Sequence, residues 1–280
     1  MTRITLIFLT ALLCLHTFNA AAQDDKDKKP KKPKKDKGSK SDDKMGMAFY
    51  TIIPFIAEEN DDQTGSLMTP KGWSSNKRFA FMSVTGTPNA LYTEKPDAIG
   101  RIGVGGGDSR KYVSVVGILN VVDMSELDNY SFDLMASRTI DKNSSISVGG
   151  MHLFSDADKV DAGPSYYVAY TRSTKNNKLN YTIGAGSGRF IEMSVADKTL
   201  RGKGDYGTGI FGNISYKIKK NININAEWTG VNLGLSAQTQ IKEKWPVFSL
   251  GLTDITRYSG DKPTILLSVA HPFLLKKKNK

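Results

Sequence analysis

The sequence predicts an all-β protein, an up-and-down antiparallel transmembrane β-barrel of about twelve strands preceded by a disordered amino-terminal segment. Three observations carry this expectation. From residue 78 onward, apolar and polar residues alternate with period two. The polar faces hold Asn, Ser, Thr, Gln and Gly rather than the Lys and Glu usual on a sheet exposed to water. Short and longer connections fall mostly on opposite sides of the strand array.

The amino-terminal 22 residues read as a cleaved export signal. Arg3 gives the positive start, Ile4 to Leu15 an apolar core, and Ala20 to Ala22 small residues at a cleavage site. The apolar run is too short to cross roughly 30 Å of hydrocarbon. Cys14, the chain's one cysteine, lies within it. Bulky Leu12 and Leu13 before it argue against lipid attachment, so no disulfide or Cys-based metal site is expected in the mature chain.

Residues 23–45 form a Lys/Pro-rich linker expected in the periplasm. Between Asp24 and Lys44 it has ten Lys, six Asp and two Pro without a large apolar side chain, so it buries too little surface to fold. Lys28, Lys29, Lys31, Lys32, Lys34 and Lys35 make it a basic tether. The tail, 274–280, carries Lys276, Lys277, Lys278 and Lys280, so much of the formal charge of +11 sits at the two ends. Anionic lipid, cell-wall polymer or an acidic periplasmic protein suits such a tether; nucleic acid is not expected for an exported chain. Residues 46–77 are a pre-barrel segment that could plug the lumen or line its rim.

The barrel is placed at 78–273, with strands near 78–85, 98–105, 111–122, 129–140, 145–154, 165–173, 178–188, 208–218, 221–228, 231–241, 247–256 and 264–273. In the ninth, Ile222, Ile224, Ala226 and Trp228 alternate with Asn223, Asn225 and Glu227. Thr229-Gly230 reads as a two-residue turn facing Trp228 with Val231. Residues 219–221 read as a loop that brings Ile218 opposite Ile222, and Asn176-Asn177 as a primed turn. Longer connections at 86–97, 155–164, 191–207 and 257–263 define the outer side, with Thr229-Gly230 the exception. An even strand number puts both termini on the periplasmic side.

The competing architecture is a soluble barrel or sandwich with its apolar face inward. Against it stand the uncharged polar faces and aromatic residues at strand ends: Tyr130, Tyr166 and Trp228 toward the outside, Tyr181, Tyr216, Phe248 and Phe273 toward the inside. These resemble two interfacial girdles. Arg138 and Arg172 break the apolar face near its periplasmic end, where long side chains reach head groups. The strand phase sends Arg101, Asp133, Asn180, Asn213, Lys217, Asn225, Glu227, Ser236 and Gln238 into the lumen. There Glu227 needs donors or a cation, for which Arg101 or Lys217 could serve. On this phase Leu235→Lys is costly and Ser236→Lys much less so.

Chemistry is sparse. His152 and His271 are placed on the apolar face near strand ends. Ser155, and the acidic group Asp156, Asp158 and Asp161, offer no convincing catalytic set beside His152. The run Gly103 to Gly107 lacks the Lys-Ser/Thr pair and helix of a phosphate loop and reads as strand end and turn. No cofactor, metal site or catalytic residue is expected.

Gly103-Val104-Gly105-Gly106-Gly107-Asp108-Ser109-Arg110-Lys111, Ala226-Glu227-Trp228-Thr229-Gly230 and Tyr258-Ser259-Gly260-Asp261 resemble an uncharacterised family of exported bacterial proteins predicted to be outer-membrane β-barrels. The resemblance spans about residues 70–273 and implies fold and location only. Barrels of that kind usually finish on an aromatic residue, whereas here Leu274 to Lys280 follow Phe273. The functional expectation is a non-enzymatic outer-membrane barrel, acting as a narrow polar pore for small solutes or as an envelope scaffold. Its partners would be membrane lipids and the outer-membrane assembly machinery. The alternatives are a barrel-anchored interaction protein using the Lys-rich tether, and third an outer-membrane hydrolase.

Overall fold

The computed structural model describes residues 65–275 apart from 75, 91–95, 125–126, 156–163, 175, 192–206, 220, 242–244 and 258–262. The expected signal, the linker with its six tether lysines, residues 46–64 and the end of the tail lie outside the described residues. So do Asp156, Asp158, Asp161 and the Tyr258 to Asp261 element.

Alternation of period two produces a closed antiparallel barrel of twelve strands. They are β1 Phe79–Thr87, β2 Asp97–Gly107, β3 Ser114–Asp123, β4 Asp128–Asp141, β5 Ser144–Leu153 and β6 Ser165–Ser173, followed by β7 Leu179–Gly186, β8 Ile210–Lys219, β9 Ile222–Trp228, β10 Leu233–Gln240, β11 Val247–Thr253 and β12 Thr264–Leu274. Each strand pairs with its sequence neighbours, and β1 closes on β12 from Phe79↔Leu274 to Gly86↔Leu267. The chain therefore enters and leaves the barrel at one end. The connections there, 108–113, 142–143, 174–178, 220–221 and 241–246, are short; 88–96, 154–164, 187–209 and 254–263 at the other end are longer.

The barrel is polar within and apolar without. Asn120, Ser147, Thr171, Ser215 and Asn225 are each at most 3% exposed, while Val104, Ile183, Ile214 and Leu250 are each more than half exposed. A sheet that hides its hydrogen-bonding side chains and presents its aliphatic ones is built for a hydrocarbon surround, because in water both choices would be unfavourable.

Three turns differ from expectation. Trp228 pairs with Leu233, so the β9–β10 turn has four residues, 229–232. The Thr229 hydroxyl accepts hydrogen bonds from the amides of Val231 (3.3 Å) and Asn232 (3.0 Å), and Gly230 takes φ +100°, which favours glycine. Between β8 and β9, a bulge at Ile218 pairs Lys219 with Ile222. Between β6 and β7, the connection 174–178 is closed by Thr174 N–H to Leu179 C=O at 2.8 Å, and of Asn176 and Asn177 the second alone is left-handed, at φ 53°.

The interior also holds an apolar cluster that the alternation hides, including Phe79, Phe81, Tyr167, Phe190 and Phe211. Four of these rings lie over cross-strand glycines: Phe79 over Gly105, Phe81 over Gly103, Tyr167 over Gly149 and Phe211 over Gly184. A methyl group at any of those glycines would run into the ring. Gly103 and Gly105 are thus part of β2, and their role is to seat phenyl rings within the lumen.

Candidate functional site

Residues 65–74 lie within the barrel interior. Gly65 lies beside Gln238; Leu67 and Met68 lie against Gly234 and Gly251, nearer the long-connection end. The chain then returns, and the Lys71 ammonium donates to the Gly65 carbonyl at 2.9 Å. Gly65 to Lys71 is therefore a hairpin-like loop whose tip points away from the end where β1 begins. The return leg is fixed to inward side chains. Ser147 donates to the Lys71 carbonyl (2.8 Å), Ser145 to that of Gly72 (2.6 Å), and the Gly72 amide donates to Thr171 (2.8 Å). Ser74 meets the Ser114 hydroxyl at 3.1 Å.

The tip is organised around Glu227, which has 0% exposure. Oε1 accepts from the Leu67 amide (3.0 Å) and the Ser236 hydroxyl (2.8 Å). Oε2 accepts from the amides of Met68 (2.9 Å) and Thr69 (3.0 Å), the Thr69 hydroxyl (3.0 Å) and the Ser66 hydroxyl. Consecutive amides converging on one carboxylate form an anion nest. Charge-assisted bonds of this kind offset the desolvation of a buried carboxylate. The counter-groups are therefore donors of the loop and Ser236, with the Lys71 charge also acting on Glu227, rather than Arg101 or Lys217.

The expected lumen residues divide between two regions. On the β7–β10 side, Asn213 meets Ser66 (3.5 Å), Asn225 donates to Ser236 (3.0 Å), and Asn180 accepts from Ser173. Gln238 is buried beside Gly65, and Lys217 is half-buried at the short-connection end. Ser236 sits under the loop in contact with Glu227, so a lysine there would displace the tip rather than reach open lumen. This reverses the mild effect expected for Ser236→Lys. Both polar side-chain atoms of Asn223, Asn225 Oδ1 and Gln238 Oε1 have no partner among the described residues.

The second region collects Arg101, Asn120, Ser131, Asp133, His152 and Arg189. Here the sequence reading of His152 fails. A register shift between Phe132 and Leu134 against β5, with His152 at φ 52°, turns its ring inward to 0% exposure. Nδ1 lies 3.0 Å from the Ser131 hydroxyl and Nε2 3.0 Å from Arg189 Nη1. A guanidinium can only donate, so Nε2 accepts and Nδ1 carries the proton toward Ser131. Asp133 Oδ1 accepts from the His152 amide (2.8 Å) and Asn120 (2.9 Å), while the charges of Arg101 and Arg189 act on its carboxylate. The Ser155 hydroxyl bonds the His152 carbonyl, not its ring. The strand phase already placed Arg101 and Asp133 inside, but the place of His152 beside them was hidden because a bulge changes the phase of β5 by one residue. His271 stays on the outer face, against Phe273.

The expected interfacial aromatics lie on the outer face. Tyr130, Tyr166, Tyr181 and Tyr216 are 42–58% exposed, and Trp228, Phe248 and Phe273 are intermediate. Trp228 Nε1 donates to Thr208 at 3.2 Å.

No protein-family model matches the sequence, and neither does any curated protein sequence. Among solved structures, the chain is similar to outer membrane phospholipase A from Escherichia coli, with 12% identity, TM-score 0.38, and 71% of this chain and 92% of that one covered. It is also similar to an outer membrane channel from Pseudomonas putida F1, with 8% identity, TM-score 0.41, and 77% and 99% covered. A mutant of the Rh. blastica porin is similar at 8% identity and TM-score 0.33, with 70% and 99% covered. These likenesses extend to no site and no activity.

Proposed function

We propose that the protein is a non-enzymatic outer-membrane β-barrel whose narrow polar lumen passes small solutes, and that the loop Gly65–Lys71 closes that lumen in the resting state. The observation that supports this reading is the way the loop is held. It joins the wall through side-chain hydrogen bonds and one carboxylate rather than a strand ladder, so it can leave without opening the barrel. The wall behind it, Asn213, Asn223, Asn225, Glu227, Ser236 and Gln238, has more hydrogen-bonding capacity than the loop uses. Water entering a vacated lumen would satisfy it. The non-enzymatic reading is supported by the His152 tautomer, which leaves no ring nitrogen free to take the Ser131 proton.

Planar-bilayer recording tests the proposal. Glu227→Gln should raise open probability well above that of the unmodified protein. Joining Ser66→Cys to Ser236→Cys with a short bis-maleimide should silence it. A Glu227→Gln protein that passes a heat-shift folding check and yet stays silent would remove the pore.

A second reading rests on charge. The Lys-rich tether and the connections at the short end, with Arg110, Lys111, Lys142 and Lys178 among them, suit an acidic periplasmic partner or cell-wall polymer. Deleting Asp24 to Lys44 should then abolish co-purification of that partner while leaving the barrel folded.

A further inference from the structure

The outward positions of the described strands are mostly apolar, and two neighbouring ones near the short-connection end carry arginine. On β4 the outward series Tyr130, Phe132, Leu134 and Ala136 ends in Arg138 and Ile140; on β6 the series Tyr166, Val168 and Tyr170 ends in Arg172. Both arginines are exposed. The register Arg138↔Ile146↔Tyr170 puts β5 between them, with Arg172 one outward position farther along β6. Strands two apart are separated by about 10 Å, a gap that two guanidiniums leaning inward close around one phosphate.

Arg172 is also positioned by its neighbours. It hydrogen-bonds the Tyr170 side chain and pairs across the ladder with Tyr181, whose ring is on the outer face. Asp141 acts electrostatically on Arg172, but its carboxylate is held in the β4–β5 turn by the Asn143 amide at 2.7 Å. Two guanidiniums against one carboxylate leave the site positive. Toward the barrel's middle, the strip between the arginines continues as exposed Ile146, Val148 and Val168. Charge at the rim and aliphatic wall beyond it match the order of head group and acyl chain in a lipid.

We propose that Arg138 and Arg172 form a binding site for an anionic phospholipid, its phosphate between the two guanidiniums and an acyl chain along Ile146, Val148 and Val168. Snorkelling alone would leave each arginine independent and indifferent to the head group. The site requires the two to act together on an anionic one. The proposal rests on the bilayer setting of the reading above but not on any pore.

The test uses the full chain in neutral detergent, titrated with dioctanoyl phosphatidylglycerol, dioctanoyl phosphatidylcholine and inorganic phosphate while thermal unfolding is followed. Phosphatidylglycerol should raise the unfolding temperature more than the other two. In the doubly substituted Arg138→Gln/Arg172→Gln protein its apparent affinity should fall about thirtyfold, as expected for two basic side chains near an anionic membrane surface. Lys142→Gln/Lys178→Gln, which lowers the charge of the same rim, should keep most of the effect. Equal responses to the three additives, or equal loss in both double variants, would overturn the site. If the arginine variant fails to fold, native mass spectrometry of the unmodified protein, extracted from mixed phosphatidylcholine and phosphatidylglycerol vesicles, decides instead. Selective retention of phosphatidylglycerol supports the site, and indiscriminate retention refutes it. Binding of neither lipid would count against the membrane reading itself.

Discussion

Met68 and Glu227 are joined by a 2.9 Å hydrogen bond from the Met68 amide to Oε2, across 159 residues of sequence. With the flanking amides of Leu67 and Thr69 on the same carboxylate, it holds the amino-terminal loop to the ninth strand. Glu227→Gln replaces one accepting oxygen by a donor that opposes these amides. The expected loss is about 1–3 kcal/mol in a urea titration, the scale of a buried donor left without its partner. Hydrogen exchange at residues 66–69 should accelerate more than at any strand amide. Unchanged protection there would contradict the latch.

The ring-on-glycine pairs make a second prediction. Gly184→Val and Gly103→Val drive a side chain into Phe211 and Phe81, and each should cost at least about 1–3 kcal/mol, in the range of core overpacking. Gly212→Val is on the outer face, where the Thr182 carbonyl oxygen lies 3.1 Å from a Cβ and no ring is met among the described residues, and should cost less than either. Comparable losses at all three would show that the glycines serve strand conformation rather than ring packing.

Depth in the bilayer should grade the cost of charge on the outer wall. Leu235 and Ile218 are both outward and about half exposed, but Ile218 lies at the short-connection end between Lys217 and Lys219. Leu235→Lys should cost about 2–4 kcal/mol if it reaches the midplane, and Ile218→Lys about 0–1 kcal/mol. Equal losses in lipid vesicles would mean the wall does not meet hydrocarbon as described.

His152 should behave as a structural bridge. His152→Ala removes the acceptor of Arg189 Nη1 and leaves the Ser131 hydroxyl with the Asn120 amide at 3.2 Å, with an expected loss of about 1–3 kcal/mol by chemical denaturation. His152→Asn, which keeps a donor and an acceptor, should recover part of it. Full stability in the alanine protein would show that the cluster is hydrated rather than closed.

The sequence by itself determined the number of strands, their approximate bounds and which face of each meets lipid. All three follow from the twofold period of side chains along a strand, a local property that twelve segments express independently. The start of β3 and end of β11 differed by three residues because Asp108 accepts from the Arg110 and Lys111 amides in one turn and Asp254 turns left-handed in the other. Tertiary structure alone decided what fills the lumen. The partners of Glu227 come from a loop some 160 positions away, the seats of the aromatic rings are set by cross-strand register, and the inward turn of His152 follows from a one-residue bulge. Each depends on which segments closure of the barrel brings face to face, and no period along a single strand records that.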